Sequence, residues 1–255
     1  MTTGYDLDVG PDPANVAAAT PETERSHDAT PVFAVGIGPG NTTYLTPRGK
    51  RAISQADVVV GFETVIEFVR DCTDAELLAC GYANEAETLD LFAQRVANGA
   101  TGTAVLMGDP NHSGYQFVGK VQTAVDSAVR IIPGISSLQV AASRARTPME
   151  TTTFVTLHKS GAITPDLARL CEQVGNRHLL VLPRPYDWMP GDIAATLLEA
   201  GASGSLTAIV FERLTHDDET ITRTTLGELA AHAGGSDADD TPFSDLSVLA
   251  VRAEG

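Results

Sequence analysis

Lysine is scarce in this sequence: Lys50, Lys120 and Lys159 stand beside fourteen arginines. Even together these 17 bases are outnumbered by 33 acids, leaving a formal charge of −16 over 255 residues. A surface of that sign repels nucleic acid and anionic membranes, which excludes a general nucleic-acid or membrane-surface binder. The acids are scattered through the whole chain, which favours adaptation to a salty cytoplasm over a dedicated cationic partner. Screening shrinks to about 3 Å at 1 M salt, so self-repulsion costs little there. Long apolar runs are also missing, so no transmembrane helix is expected. The acidic N-terminus lacks the basic patch and apolar run of a secretory signal. Cysteine is rare too. Cys72, Cys80 and Cys171 show neither metal nor redox spacing, and an odd number fits a reducing interior. What remains is a cytoplasmic protein whose 43% hydrophobic content is enough for a substantial core. Its length suits one large domain or two of ordinary size.

Residues 1–30 are rich in Asp, Glu, Pro, Ala and Thr without periodicity, which predicts a disordered acidic tail. From Pro31 onward, apolar runs alternate with helical patterns. Strands are expected at 31–36, 57–60, 76–80, 102–107 and 128–132, with helices at 46–56, 62–70, 84–98 and 114–127. The helix opening at Asn84 carries a capping signal in Glu87. This is the pattern of an α/β layer with a largely parallel sheet. A helix from Ile135 to about Arg146 ends at Thr147-Pro148. A second series follows, with strands near 152–158, 177–182, 205–212 and 245–252 and helices near 164–174, 190–200 and 225–232. The chain therefore divides into an N-terminal α/β lobe, 31–147, and a C-terminal α/β lobe, 148–255. Residues 233–243 read as an exposed loop.

Three loops carry the chemistry. The first, Val35-Gly-Ile-Gly-Pro-Gly40, follows a strand, yet it is not a dinucleotide loop. Such a loop needs a third glycine and a helix N-terminus against the pyrophosphate. Here Pro39 removes a backbone donor, Asn41 stands where the third glycine would be, and the next helix signal is Thr46-Pro47. A nucleoside-like ligand without phosphate suits it better. The second loop, Gly108-Asp109-Pro110, ends the strand Ala104–Met107, at the edge where open α/β sheets place ligands. Asp109 is a candidate catalytic carboxylate, or it caps its own turn. The third, Pro133-Gly134-Ile135-Ser136-Ser137, opens a helix, and capping by Ser136 is the plain alternative.

Taken in order, Gly-x-Gly-Pro-Gly, Leu45-Thr-Pro47, Ala56-Asp-Val-Val-Val-Gly61, Gly108-Asp-Pro110 and Ile132-Pro-Gly-Ile-Ser-Ser137 resemble the tetrapyrrole methylase family. Thr156-Leu157-His158, Phe211-Glu-Arg-Leu214 and Thr225-Leu-Gly-Glu-Leu229 point within it to the members that methylate C5 of cobalt-precorrins. The similarity runs from about Pro31 to Val251. It implies two α/β/α lobes with a ligand cleft between them, S-adenosylmethionine as methyl donor, a tetrapyrrole substrate and a homodimer. It also implies donor contacts at Pro39, Gly108, Asp109, Pro110, Ser136 and Ser137, with Leu182, Ala208 and Ile209 from the second lobe. Family members that carry a fused second domain also methylate C15 with decarboxylation. This chain is expected to perform only the C5 step, leaving C15 to a separate protein. One departure stands out: Asn111-His112-Ser113-Gly114-Tyr115 replaces the usual short apolar-aromatic step after Gly-Asp-Pro.

A sulfonium methyl is already activated, so transfer to an electron-rich ring carbon is chiefly a matter of alignment. No triad and no metal cluster is needed, and none is evident. A ring bearing many carboxylates requires local cations. Arg48, Arg51, Lys120, Arg144, His158, Lys159 and Arg184 lie in or beside the loops, and His158, Lys159, Arg184 and Arg48 are the substrate-binding candidates. His112 is a candidate proton acceptor or donor. Competing readings are methylation at another ring position, diphthine synthesis, ribose methylation of ribosomal RNA, a nucleotide-dependent oxidoreductase and a non-catalytic ligand carrier. The RNA reading requires a basic stripe, and this sequence has none.

Overall fold

The computed structural model describes residues 12–19, 30–159, 161–234 and 238–254. The chain splits into two compact units, Met1–Ser136 and Ser137–Gly255.

The first unit contains α1 (Pro13–Ala19), β1 (Val32–Gly36), α2 (Pro47–Ser54), β2 (Val58–Phe62), α3 (Glu63–Val69), β3 (Glu76–Cys80), α4 (Glu85–Ala97), β4 (Gly102–Leu106), α5 (Pro110–Ser113), α6 (Tyr115–Ala124) and β5 (Val129–Ile132). Its five strands lie in the order β3-β2-β4-β1-β5, and every pairing is parallel. Both faces are covered, which is why Val58-Val59-Val60 is apolar without alternation. Leu89, Phe92, Phe117 and Val121 of α4 and α6 fill one face; Ile53, Val65, Ile66 and Val69 of α2 and α3 fill the other. Thr46 caps α2 as its sequence foretells, its Oγ1 accepting from Gly49 N at 3.1 Å.

Two expectations in this unit fail. Asn84 does not cap α4: its Oδ1 turns back to accept from Gly81 N at 2.7 Å, closing the preceding turn instead. The tail was expected to hold no element before residue 31. Residues 1–11 and 20–29 lie outside the described residues, but between them α1 forms and packs on α6. Ala14, Ala17, Ala18 and Ala19 are the best of helix formers. The approach is so close that a Cβ at Gly119 would overlap the Pro13 carbonyl.

The second unit contains α7 (Ser137–Ala145), β6 (Thr152–Thr156), α8 (Thr164–Gln173), β7 (His178–Leu182), α9 (Pro190–Glu199), β8 (Thr207–Glu212), β9 (Thr220–Thr225), α10 (Leu226–Ala230) and β10 (Ser247–Val251). The strand order is β6-β7-β10-β8-β9. Only β6 and β7 pair in parallel; β10 runs antiparallel between β7 and β8, and β9 is antiparallel to β8. Consequently β6, β7 and β8 end at the same edge at which β10 begins. One face builds a core with α8, α9 and α10 around Leu170, Ile193, Leu197 and Leu226. Helix α7 lies against β7 and β10, so it belongs to this unit although the sequence places it ahead of the 146–151 junction. Strand β9 has no sequence forecast, because Thr-Ile-Thr-Arg-Thr-Thr is polar, β-branched and largely exposed, an edge strand without an apolar run. Residues 235–237 of the expected 233–243 loop lie outside the described residues.

Candidate active site

Strand β1 sits between β4 and β5, so the loops leaving these three neighbours emerge side by side. They meet main chain to main chain. Gly38 N donates to Gly108 O at 3.2 Å, and Gly108 N donates to Gly38 O at 2.7 Å. A Cβ at Gly36 would lie 2.6 Å from Gly108 O and 2.7 Å from Gly134 N; one at Gly134 would lie 2.2 Å from Gly108 O. Only glycine permits this approach. Gly38, Gly40 and Gly108 also hold φ of 92°, 117° and 65°, conformations that side chains disfavour. Pro39 is buried between the first two.

Asp109 is 7% exposed and ends its strand as the N-cap of α5. Its Oδ1 accepts from Asn111 N at 2.7 Å and from Asn111 Nδ2 at 2.6 Å. Pro110 takes the first helical position, and His112, half-buried, donates its backbone N–H to Asp109 O at 3.0 Å. Ser136 is 3% exposed, while Ser137 opens α7. The first unit thus gathers Pro39, Gly108, Asp109, Pro110, His112 and Ser136 at one sheet edge. After the first loop comes only a single 3-10 turn, Thr42–Tyr44, capped by Asn41; helix α2 begins later, at Pro47.

The candidates of the second unit are spread more widely. Leu182 ends β7 half-buried, but Ala208 lies with no exposed surface in the core beneath α8–α10, and Ile209 is 8% exposed. Ala208 is walled in because the face of β8 from which it projects is covered by α8, α9 and α10. His158 and Lys159 follow β6 on the surface. Packing around the His158 imidazole pushes its pKa below the ordinary value of 6.5, against the pull of Asp245. Lys159 Nζ pairs with Asp166 at 2.6 Å. Arg184 pairs with Asp187 and donates from Nη1 to Gly161 O at 3.4 Å. Arg144 Nη1 pairs with Glu219 at 3.1 Å.

Two cations of the first unit differ sharply. Arg48 is exposed in the first turn of α2. Lys120, named above among the cations near the loops, is 9% exposed inside the unit, with Nζ 2.5 Å from Glu85 Oε2. It neutralises a buried carboxylate and is not available to a ligand. Nearby, desolvation and then the Glu85 charge push the Cys80 thiol up to about 11, with Lys120 opposing, so this cysteine is inert. Among the described residues no helix is long and apolar enough to cross a membrane, and no acid, His or Cys cluster is placed to hold a metal.

The sequence profile of the Tetrapyrrole (Corrin/Porphyrin) Methylases matches residues 31–230, spanning all three glycine loops. This chain belongs to that family. A similar relative is the probable cobalt-precorrin-7 C(5)-methyltransferase of Methanocaldococcus jannaschii, 28% identical over 201 residues, covering 78% of this chain and 91% of the relative. The cobalt-precorrin-4 C(11)-methyltransferase of the same organism is 25% identical and covers 78% and 80%. Among solved structures, the precorrin-6Y methylase of Archaeoglobus fulgidus aligns with a TM-score of 0.61 at 22% identity, over 89% of this chain and all of the other. A uroporphyrin-III C-methyltransferase from Thermus thermophilus, complexed with S-adenosylhomocysteine, gives 0.66 at 21%, covering 87% and 92%. These likenesses establish the fold of a tetrapyrrole methylase.

In this methylase the unusual run after Gly-Asp-Pro has a structural use. Asn111 Oδ1 accepts from Tyr115 Oη at 3.2 Å, so Tyr115, Asn111 and Asp109 form one chain of hydrogen bonds across the turn. The sequence marked the departure without assigning these residues a part. The signal was there in an Asn two residues after an Asp and a Tyr four further on, the spacing of one helical turn.

Proposed function

We propose that this tetrapyrrole methylase transfers the methyl group of S-adenosylmethionine to C5 of a cobalt-precorrin, cobalt-precorrin-7, in cobalamin biosynthesis. The observation that carries the donor is the glycine cradle of Gly36, Gly108 and Gly134, backed by buried Pro39, with α2 starting only at Pro47, well beyond the first loop. The first loop lacks the helix start that a dinucleotide loop sets against its pyrophosphate, which disfavours a nucleotide-dependent oxidoreductase. Pro39, Gly108, Asp109, Pro110 and Ser136 are the residues of the first unit that would hold the donor. Bound there, the donor supplies an activated sulfonium methyl. The chain's own task is alignment of that methyl with a ring carbon, an effect that can lower a barrier by about 7–11 kcal/mol. Asp109 lies nearest the reacting groups on this reading, and His112, in the same short helix, is the candidate for the departing proton. Arg184, His158 and Arg48 are the candidates for substrate carboxylates; Lys159 is engaged by Asp166.

The C5 position rests on the Methanocaldococcus relative, and the C(11) relative favours a second reading at comparable similarity. Incubation with a ¹³C-labelled methyl donor and cobalt-precorrin-7, followed by NMR location of the new carbon, decides between them. A label at C5 supports the proposal; no transfer to this substrate, with transfer to cobalt-precorrin-4, replaces it with the other. A homodimer completes the proposal.

A further inference from the structure

Tyr82 is 89% exposed, far more than any other large apolar side chain among the described residues. It is nevertheless held in place. The turn that carries it is closed from both ends: Gly81 N donates to Asn84 Oδ1 at 2.7 Å, and Asn84 N donates to Gly81 O at 3.4 Å. The Asn84 side chain is spent on this turn and leaves α4 uncapped. The Tyr82 ring packs on Phe62, with centroids 5.1 Å apart and planes tilted by 55°. Phe62 packs in turn on Phe117, at 5.4 Å and 52°. Tilted pairs at such distances are favourable for aromatic rings. Phe117, in α6, is 6% exposed. A row of three rings thus runs from the core to the surface, and its outermost member shows water most of its area.

The row ends beside the donor loops. Strands β3 and β4 flank β2, and Val60 of β2 is in register with Leu78 on one side and Ala104 on the other. Tyr82 and Gly108 each come four residues further along, so their loops leave the sheet at the same height. Two strand spacings, about 10 Å, separate them across the sheet. They share the carboxyl edge of a parallel sheet, where open α/β folds place ligands. The helix that carries Phe117 also carries Tyr115, whose hydroxyl bonds to Asn111 in the Asp109 turn.

We propose that Tyr82 binds the tetrapyrrole substrate by laying its exposed ring against a face of the macrocycle. A tetrapyrrole has apolar faces and a rim of carboxylates. An acidic chain repels that rim, whereas ring-on-ring contact depends on shape and on the exclusion of water. Glu85, the acid closest to the turn in sequence, is buried with its charge compensated by Lys120. The inference rests on the methyltransferase reading, which supplies the macrocycle.

Two variants test it. Tyr82→Ala removes the ring; Tyr82→Phe keeps it without the hydroxyl. Each is titrated with uroporphyrin III, a flat polycarboxylate macrocycle, by its absorbance, and with S-adenosylhomocysteine by calorimetry. Tyr82→Ala should bind uroporphyrin III at least about tenfold more weakly than wild type, and Tyr82→Phe within about twofold of it. Both variants should bind S-adenosylhomocysteine and melt as wild type does, since so exposed a side chain carries little of the fold. Wild-type affinity of Tyr82→Ala for uroporphyrin III overturns the proposal. So does an equal loss in Tyr82→Phe, which would place the interaction on the hydroxyl, and so does a loss of both ligands together, which would make Tyr82 a structural residue. A wild-type protein that binds S-adenosylhomocysteine but not uroporphyrin III overturns the ring contact alone, because stacking requires no particular substituents. One that binds neither overturns the methyltransferase reading, and the contact with it.

Discussion

Replacing Gly134 by alanine tests whether three stretches of main chain meet at the site. The added Cβ lies 2.2 Å from Gly108 O, 2.7 Å from Gly36 C and 2.7 Å from Gly36 O. All three neighbours are backbone, and none can swing aside as the end of a flexible side chain would. Overpacking typically costs about 1–3 kcal/mol, and the upper end applies where the neighbours are fixed, Gly36 in β1 and Gly108 in its bridge to Gly38. About 3 kcal/mol corresponds to a fall in melting temperature of roughly 6–12 °C for a protein of this size. The loops must also part, so affinity for S-adenosylhomocysteine should drop at least tenfold. Calorimetry measures both quantities on the same sample. Gly99→Ala is the control: Gly99 has φ 98° but nothing within 4 Å of its missing Cβ. It should lose about 1–2 kcal/mol through backbone strain alone, with affinity unchanged. Were Gly134→Ala to melt and bind like wild type, the convergence of the three loops would be refuted.

Asp109→Ser keeps a capping oxygen and removes the carboxylate, whereas Asp109→Ala loses the cap at a cost of about 1 kcal/mol. If the charge acts in methyl transfer, the serine variant folds as wild type in urea melts and fails to transfer a labelled methyl; full activity would reduce Asp109 to a turn residue. Lys120→Met should cost about 3–5 kcal/mol in urea unfolding by stranding the Glu85 carboxylate, and adding Glu85→Gln should restore most of it. A Lys120→Met protein of wild-type stability would refute burial of the pair. His178 is the clearest pH probe of the fold: desolvation, then the charges of Arg252 and Arg177, hold its pKa below 6.5, while its Nδ1 accepts from Ala253 N at 2.9 Å. The folded state keeps it neutral, so the unfolded chain binds the extra proton below 6.5. His158, a surface residue whose imidazole its neighbours partly shield from water, has the same sign. Stability should therefore be intact above pH 6.5 and decline as pH falls from there toward the depressed folded values. Replacing His178 by Gln should flatten that decline in melts between pH 7.5 and 5.5; an unaltered slope would contradict the assignment.

Most elements were legible because their signals are local. Strand runs such as Val58–Val60, the Thr46-Pro47 start and the Thr225–Glu228 capping box write period and caps into adjacent residues. The glycine loops were legible too, since Gly36, Gly108 and Gly134 each follow an apolar strand. What failed depended on partners distant in sequence. Asn84 had the residue type for a cap, but Gly81 N competed for its oxygen. Lys120 looked like a cation beside a ligand loop until Glu85, on another helix, drew it inside. The helix of the tail and the polar edge strand β9 owe their existence to what they pack on or pair with, α6 and β8.

The sequence by itself determined which segments are strands and helices, where the loops tolerate no side chain, and the family to which they belong. Tertiary structure alone decided that β1 stands between β4 and β5, which turns three separate loops into one wall, and that β10 runs backward between β7 and β8. It also decided which cations are spent on partners of their own chain, as in Lys159 with Asp166 and Lys120 with Glu85. Backbone preference and apolar period act over a few residues, whereas strand order and the pairing of charges are settled by packing between residues far apart in the chain.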